Sequence, residues 1–303
     1  MIAAVTEALS EFGAIDDGEI PRYHIGLTHG DTVWLDAFRS DGTFFHAKVA
    51  EHVTLRDEVR VYHEALRVYD DFMPAPVGYT VRGPWEIFVT EGVEHHPLSV
   101  NALDNSMRAR KLRAELSRFF ERSARKPATT SSAQIHDVLL QRLRAKFSDT
   151  WLAPLITYWC SSEARQLLDA LGAVPQHCDF VTNNIGIRNS RLVVYDWEDF
   201  GKVSLPGFDL CTLAISLIND GMTDAIGLAR DGSDGERLAL LVNPACVALG
   251  MDINQFWRLV PLYLMAFLYL KQGYASGIRM RIEDMLTQHS SSVAASIQKL
   301  AAA

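Results

Sequence analysis

The sequence lacks the excess of basic residues found in proteins whose main partner is nucleic acid or an anionic membrane surface. Its 303 residues include 29 Lys and Arg against 37 Asp and Glu, which gives a formal net charge of −8 at pH 7. Proteins attract such anionic partners through a positive field at their surface. We therefore expect no nucleic-acid partner and no membrane partner, and any phosphate ligand has to be bound by a local arrangement of side chains.

The sequence also lacks a hydrophobic run long enough to cross a membrane. The longest run, residues 256–270, is shorter than the roughly 20 residues that a membrane-spanning helix needs, and it contains Arg258 and Pro261. It is typical of a buried core helix. The N-terminal residues lack a basic segment and carry Glu7 and Glu11 within an apolar pattern. This pattern predicts a short amphipathic helix rather than a signal peptide.

Cysteine is scarce, and its spacing matches neither a metal site nor a disulfide-rich fold. The four cysteines are Cys160, Cys178, Cys211 and Cys246. We expect free thiols in a reducing cytosol, and hence a cytoplasmic protein. The chain does have enough apolar residues, 48%, to fill the core of one large or two modest domains.

Short β-like runs separated by turn signals dominate the first third of the chain. The runs are 23–27, 33–38, 44–49, 77–81 and 85–90. The segments Thr28–Asp31 and Arg39–Gly42 are typical hairpin turns. The pattern predicts a five-stranded antiparallel sheet that carries one helix.

That helix is predicted between the third and fourth runs, with Thr54 as its N-cap. Its apolar stripe consists of Leu55, Val59, Tyr62 and Leu66. At 100° per residue, Glu58 lies roughly 70° from the centre of this stripe. Glu58 is therefore the acidic residue of the helix that can point into the protein.

The composition changes after residue 92, and the break in the strand pattern there predicts a domain boundary. We expect an N-terminal nucleotide-binding lobe at 1–92 and a mainly helical lobe at 93–303. Helices are predicted at 105–125, 133–147, 163–171, 209–219 and 254–272. The acidic stretch 219–236 is interpreted as a loop, although it could attract a cationic substrate. Aromatic residues at 257–274 are interpreted as core, with a pocket for a quaternary ammonium as the alternative.

Residues 175–199 contain the candidate chemistry. The segments 184–187 and 192–196 read as a β-hairpin. A three-residue turn would place Asn184 opposite Asp196, and a two-residue turn would shift this pairing by one position. Their oxygen atoms suit Mg²⁺, whose remaining ligands are usually phosphate oxygens and water. Asp179 precedes the hairpin and could accept or orient the proton of an attacking hydroxyl.

Three linked motifs in this region carry a family resemblance. The segment HCDFVTNN at 177–184 resembles the His-x-Asp-x-x-x-x-Asn catalytic loop of the aminoglycoside phosphotransferase and choline kinase-like families, which are relatives of protein kinases. The segment Tyr195-Asp196-Trp197 resembles their metal-binding Asp-Trp segment, and PGFDL at 206–210 resembles the Pro...Asp-Leu segment that follows. The resemblance implies an α+β, two-lobed protein kinase-like fold.

The resemblance also implies roles for individual residues. Asp179 would be the catalytic Asp, Asn184 and Asp196 the Mg²⁺ ligands, and Asp209 a buried carboxylate that braces the loop. Lys48 would pair with Glu58 and hold the α and β phosphates of ATP. An interlobe hinge would offer backbone groups to adenine through Thr90, Glu91, Gly92 and Val93. His177 is interpreted as structural.

The expected activity is ATP-dependent transfer of the γ-phosphoryl group to a hydroxyl of a small molecule. The acceptor could be an aminoglycoside-like antibiotic, a choline-like amine or amino alcohol, or a sugar. One departure from the protein-kinase pattern is the segment Thr28–Asp31, which stands where a glycine-rich loop is expected. A function of another class, a catalytically silent nucleotide-binding regulatory protein, would retain the fold without the turnover.

Overall fold

The computed structural model describes residues 1–27, 31–94, 107–125, 132–189, 191–219, 232–271, 279–280 and 282–287. The strands are β1 (Arg22–Leu27), β2 (Thr32–Phe38), β3 (Phe44–Ala50), β4 (Pro76–Arg82), β5 (Trp85–Glu91), β6 (Ile185–Arg188) and β7 (Arg191–Val194). The helices are α1 (Ile2–Glu11), α2 (Arg56–Tyr69), α3 (Met107–Ala124), α4 (Ser132–Phe147), α5 (Ala153–Trp159), α6 (Ser162–Leu171), α7 (Phe208–Asn219), α8 (Gly232–Ala248) and α9 (Ile253–Leu270).

The chain forms two compact units. The first comprises Met1–Pro97 and Asn184–Glu198, and the second comprises Leu98–Asn183 and Asp199–Ala303. These units differ from the expected division after residue 92, which stays a prediction about domains. The difference arises because the β6–β7 hairpin packs with the N-terminal unit, where β7 contacts the turn Asp70–Phe72.

A five-stranded antiparallel sheet in the order β1-β2-β3-β5-β4 forms the centre of the first unit. The predicted sheet and its antiparallel pairing are confirmed. Alternate residues of a strand face opposite sides, so Leu35, Ala47 and Val89, which are aligned across β2, β3 and β5, share one face. The amphipathic helix α1 covers this face with Val5, Ala8 and Leu9.

The opposite face of the sheet carries Trp34, Lys48 and Phe88, which are aligned across the same three strands. Helix α2 packs here, and the ring of its Tyr62 lies 5.1 Å from that of Phe88. The sheet therefore carries a helix on each face, whereas the sequence predicted one. The pleat places Lys48 on the α2 side and the apolar residues 47 and 49 on the α1 side.

The second unit is helical, and its core is built around α9. This helix is apolar on nearly all sides, and its buried residues include Phe256, Leu262 and Phe267. It packs against α4, α7 and α8, which confirms a buried core helix at 256–270. Pro261 lies inside the helix. None of the helices formed by the described residues is long and apolar enough to cross a membrane.

Several local predictions were wrong. Helix α2 begins at Arg56, one position later than an N-cap at Thr54 would place it, although the Thr54 hydroxyl does accept a hydrogen bond from the Arg56 N–H, as an N-cap side chain does. Helix α5 was not predicted, and α8 begins at Gly232 within the stretch interpreted as a loop. The ring of Trp257, interpreted as core, is half exposed.

All four cysteines are free thiols, as expected.

Candidate active site

Lys48 lies on β3 at the centre of an ion-pair cluster within the first unit. Its Nζ is 2.7 Å from Glu58 Oε2 and 3.0 Å from Glu198 Oε2. It also lies 5.2 Å from the centre of the Trp34 ring, within the range of a cation–π contact. The side chains of Lys48 and Glu58 are 7% and 17% exposed, so this pair is largely shielded from water.

Burial and charge act in opposite directions on this cluster. Burial lowers the pKa of Lys48, but the carboxylates of Glu58 and Glu198 outweigh that effect and raise it above its usual value of 10.5. Burial raises the pKa of Glu58, and the attraction to Lys48 offsets only part of that rise. Lys48 is therefore a firmly charged ammonium group with two carboxylate partners.

Glu198 was missed by the sequence analysis. It lies in the short 3-10 turn Trp197–Asp199 that directly follows Asp196. Trp197 anchors this turn because its ring is buried against Tyr69, 5.1 Å away, and its Nε1–H donates to the Val194 carbonyl. The acidic run after Asp196 was the available signal, but the sequence could not show that it returns to Lys48.

The β6–β7 hairpin has a two-residue turn rather than the expected three-residue turn. Arg188 pairs with Arg191 and Ile185 with Val194. The pairing of Asn184 with Asp196 was therefore wrong. The alternative register holds instead, in which the Tyr195 N–H donates to the Asn184 carbonyl at 2.8 Å. Asp196 follows the end of β7 with a left-handed φ of 56°, an uncommon conformation for a residue with a side chain.

Asn184 and Asp196 fit Mg²⁺ by the chemistry of their donors. Both present hard oxygen atoms, both are half-buried, and they lie at the same end of the hairpin. Among the described residues no group of three or more His, Cys, Asp and Glu could hold a metal ion. A site with few protein ligands, completed by phosphate and water, is the arrangement that Mg²⁺ usually adopts.

Asp209 braces the backbone directly before Asp179 in the second unit. It lies in the first turn of α7, and its carboxylate accepts hydrogen bonds from the backbone N–H groups of His177 at 2.7 Å and Cys178 at 2.9 Å. Cys178 has a left-handed φ of 71°. Its buried sulfur contacts the Gln176 and Val203 carbonyls and accepts from the Val203 N–H. These contacts hold the backbone directly before Asp179.

The pKa of Asp209 is raised from 3.8 to about 7. Burial is the largest cause, and the charge of Asp179 adds to the rise. The two backbone N–H groups act in the opposite direction. His177 also holds the backbone of this segment. Its Nδ1 accepts from the Asp179 N–H at 3.1 Å, and its ring is fully buried.

Asp179 itself is paired with a lysine that the sequence analysis did not identify. Lys271 Nζ lies 2.9 Å from Asp179 Oδ1 and 2.6 Å from Asp199 Oδ2. Burial lowers the pKa of Lys271, yet Asp179 and then Asp199 outweigh it, so the net direction is upward. Asp199 also pairs with Lys202. No local pattern links residues 179 and 271, so only the tertiary fold reveals the contact.

The residues expected to form the hinge end β5 and continue from it. The Glu91 N–H donates to the Ala75 carbonyl and the Gly92 N–H to the Phe44 carbonyl, both at 2.8 Å. The Val93 carbonyl accepts from the Tyr195 hydroxyl at 3.4 Å. These backbone groups are thus engaged within the first unit. Thr90 is buried and lies opposite His46 in the sheet. Residues 28–30 of the first hairpin lie outside the described residues.

Comparison with solved structures identifies the fold. The chain resembles choline kinase from Cryptosporidium parvum Iowa II, with 10% identity, a TM-score of 0.60, and 98% of each chain covered. It also resembles APH(2″)-IIa in a ternary complex with streptomycin and ATP, with 15% identity, a TM-score of 0.55, and coverage of 95% of this chain and 96% of that one. Macrolide 2′-phosphotransferase MphH from Brachybacterium faecium gives 12% identity, a TM-score of 0.54, and coverage of 93% and 96%.

The protein therefore has the protein kinase-like fold that these structures share, with a small antiparallel sheet and a larger helical portion. The expected fold class is confirmed. No protein-family model matches the sequence, and a comparison with curated proteins gives no match. At these identities the likeness establishes the fold, and the activity has to be argued from the side chains.

Proposed function

We propose that this protein is an ATP-dependent phosphotransferase that transfers the γ-phosphoryl group to a hydroxyl of a small molecule. The observation that carries this proposal is the shielded pair of Lys48 and Glu58 on the α2 side of the sheet. A buried ammonium group held by a helix glutamate is the arrangement with which kinase-like enzymes bind nucleotide phosphates. The fold, which the structure of a streptomycin–ATP complex also has, supports the same activity.

The remaining roles follow from the chemistry of each side chain. Lys48 would bind the α and β phosphates, with Glu58 fixing its position. Asn184 and Asp196 would hold Mg²⁺, which when bound neutralises charge that develops on the phosphates. Residues Thr90, Glu91, Gly92 and Val93 would lie beside adenine. The N–H groups of Glu91 and Gly92 are already engaged within the first unit, so neither would donate to adenine.

Asp179 would accept or orient the proton of the acceptor hydroxyl. The hydroxyl oxygen forms a bond to the γ-phosphorus, and the bond from that phosphorus to the bridging oxygen breaks. ADP leaves, and the hydroxyl proton passes to the Asp179 carboxylate. In such a reaction the protein acts mainly by positioning and by electrostatic stabilisation. The braced backbone at His177 and Cys178 supplies the required rigidity.

The acceptor is a small hydroxyl compound. Aminoglycosides, macrolides, choline and ethanolamine are candidates because proteins named for them share the fold, and sugars are the further candidate from the sequence analysis. An ATP-consumption assay across this panel, run with Mg²⁺ and compared with water as acceptor, tests the proposal. We expect transfer to at least one class. Nucleotide binding without turnover of any member or of water would instead point to a regulatory protein.

Asp179→Asn tests the mechanism. The amide cannot take up the proton, so we expect turnover to fall by about 10²- to 10⁴-fold while the affinity for Mg·ATP changes little. Steady-state turnover and nucleotide titration measure the two quantities. Asp57→Asn is a matched control, because Asp57 lies on α2 with a side chain 85% exposed, and it should behave as wild type. Unchanged turnover of the Asp179 variant would refute the mechanism.

A further inference from the structure

Lys271 is the least expected member of the group around Asp179. It is the residue that caps the C-terminal end of α9, where its backbone N–H donates to the Phe267 carbonyl. Its side chain is 11% exposed, as are those of Asp179 and Asp199. The ammonium group of Lys271 lies within 3 Å of two carboxylates and is nearly buried. Removing these three charges from water costs free energy. Its role therefore needs an explanation beyond general stability.

The need to neutralise Asp199 does not explain Lys271. Asp199 has a second cation, Lys202, whose side chain is 53% exposed and approaches from the solvent side. Burial raises the pKa of Asp199, and Lys271 together with Lys202 outweighs that effect and lowers it. Lys271 differs from Lys202 in two respects: it is more deeply buried, and it also contacts Asp179. The second difference is the one that bears on the chemistry.

The location of Lys271 is fixed by a rigid element. Helix α9 is capped at its start by Asp252, with reciprocal bonds involving Asn254 and Gln255, and nearly every turn is buried. Its Tyr263 hydroxyl donates to the carbonyl of Pro206, in the loop that leads to Asp209. The helix that carries Lys271 is thus bonded to the same loop region that braces Asp179. A cation at a helix C-terminus is also favoured by the helix dipole.

We propose that Lys271 is a positioning residue that fixes the carboxylate of Asp179 for the transfer step, with Asp199 holding Lys271 in place. The inference rests on the proposed phosphotransferase function. One carboxylate oxygen of Asp179 is held at 2.9 Å by Lys271, which restricts rotation of the carboxylate. The acceptor hydroxyl then meets a base with a fixed direction, and orientation of this kind contributes strongly to rate.

Lys271→Met tests the role, because it keeps most of the unbranched side chain and removes the charge. We expect kcat to fall by about 10- to 100-fold, with KM for Mg·ATP within about two-fold of wild type. The probes are Mg·ATP with water as acceptor, followed by phosphate release, and any acceptor found in the panel. Lys271→Arg keeps the charge and should retain more of the activity. Lys202→Met, the matched control, should remain near wild type.

A second variant separates positioning from stability. Lys271→Met alone leaves two buried carboxylates with one fewer cation, so it can destabilise the fold. The double variant Lys271→Met with Asp199→Asn removes a charge of each sign, and we expect its unfolding midpoint to return towards wild type while kcat stays low. Recovery of kcat together with stability would show that Lys271 is only structural and would overturn the inference.

The outcomes also distinguish the two proposals. A wild-type protein that transfers phosphate, with Lys271→Met at the same kcat, refutes the positioning role and leaves the proposed function intact. An equal loss of kcat in Lys202→Met would refute the role as well, since Lys202 contacts Asp199 without contacting Asp179. A wild-type protein without any turnover, including with water, refutes the phosphotransferase function and with it the inference.

Discussion

Asp209 combines two opposing requirements at one buried position. Its carboxylate accepts hydrogen bonds from the backbone N–H groups of His177 and Cys178 and lies at the N-terminus of α7, where negative charge is favoured. The residue is only 1% exposed, and burial penalises that charge. The loop geometry therefore depends on a carboxyl group whose protonation changes near neutral pH.

Comparison of the wild type with Asp209→Asn predicts a pH dependence of stability. The folded-state pKa of about 7 lies above the usual value of 3.8 that applies to the unfolded chain. The folded state therefore binds more protons between these values, and this contribution to stability is present at low pH and is lost as pH rises through about 7. The asparagine does not titrate. The free energy of unfolding of wild type relative to the variant should fall, by at most about 1.4 kcal/mol per pH unit.

Urea unfolding of both proteins at about pH 5, 6 and 7 gives this difference directly. Asp57→Asn serves again as the exposed control, and its difference from wild type should stay flat over this range. A difference between wild type and Asp209→Asn that rises with pH would mean that the N–H groups and the helix dipole outweigh burial.

At the scale of elements, the end of β5 is fixed by a close approach of two backbones. A Cβ at Gly92 would lie 2.2 Å from the Phe44 ring and 2.5 Å from the Phe44 carbonyl oxygen. The hydrogen bond from the Gly92 N–H to the same carbonyl holds the strands together at that point. Glycine is thus required here by space rather than by backbone conformation.

Gly92→Ala should destabilise the fold by about 1–3 kcal/mol, the usual cost of overpacking. The matched control is Gly26→Ala on β1, where a Cβ would make only ordinary contacts with Trp34 at 3.9 Å and the effect should stay within about 0.5 kcal/mol. Chemical denaturation of the two variants beside the wild type measures both effects. Equal stability of both variants would contradict the steric argument.

The elements themselves were largely predictable from sequence because their patterns are local. The period-two runs identified all five strands of the sheet, and the stripe of α2 correctly directed Glu58 inward. The hairpin register was not predictable, because it depends on a turn in which Asn189 adopts a left-handed φ of 50° and so allows a two-residue connection. Helix α5 is short, with seven residues, and offers little periodicity.

The same distinction holds for the candidate site: residues close in sequence could be predicted, and residues brought together by the tertiary fold could not. Asp179, Asn184 and Asp196 belong to one continuous segment, so the motif could suggest them together. Lys271 and Glu198 contribute through contacts that only the folded chain creates. The sequence carries no spacing that relates Lys271 to Asp179, and an acidic residue after Asp196 is as typical of a solvated turn as of an ion pair.

At the scale of the whole molecule, the compact units are not contiguous in sequence. The segment Asn184–Glu198 belongs to the first unit, to which it contributes β6, β7 and the buried ring of Trp197. The chain thus leaves the first unit near residue 97, returns at 184 and leaves again after 198. The sheet with its two helices and the hairpin are each continuous in sequence, but the unit that they form together is not.

A fragment of residues 1–97 should therefore be less stable than the same fragment joined to residues 184–198 through a flexible Gly/Ser linker. Without the hairpin, Tyr69 loses its contact with Trp197 and Lys48 loses Glu198. The loss of apolar burial alone should cost at least about 2 kcal/mol. Circular dichroism during urea unfolding compares the two fragments, and equal stability would contradict the assignment of the hairpin to this unit.

The buried thiol of Cys178 makes the protein its own reporter of local opening beside Asp179. Burial raises its pKa, and its sulfur is enclosed by the carbonyls of Gln176 and Val203, so an alkylating reagent reaches it only while the loop is open. Cys160 is exposed and records the intrinsic reactivity of the reagent in the same molecule, while Cys211 and Cys246 are buried and record the unfolding of the helices that surround them. The relative labelling rates of native cysteines thus separate local motion beside Asp179 from global unfolding, without any introduced probe.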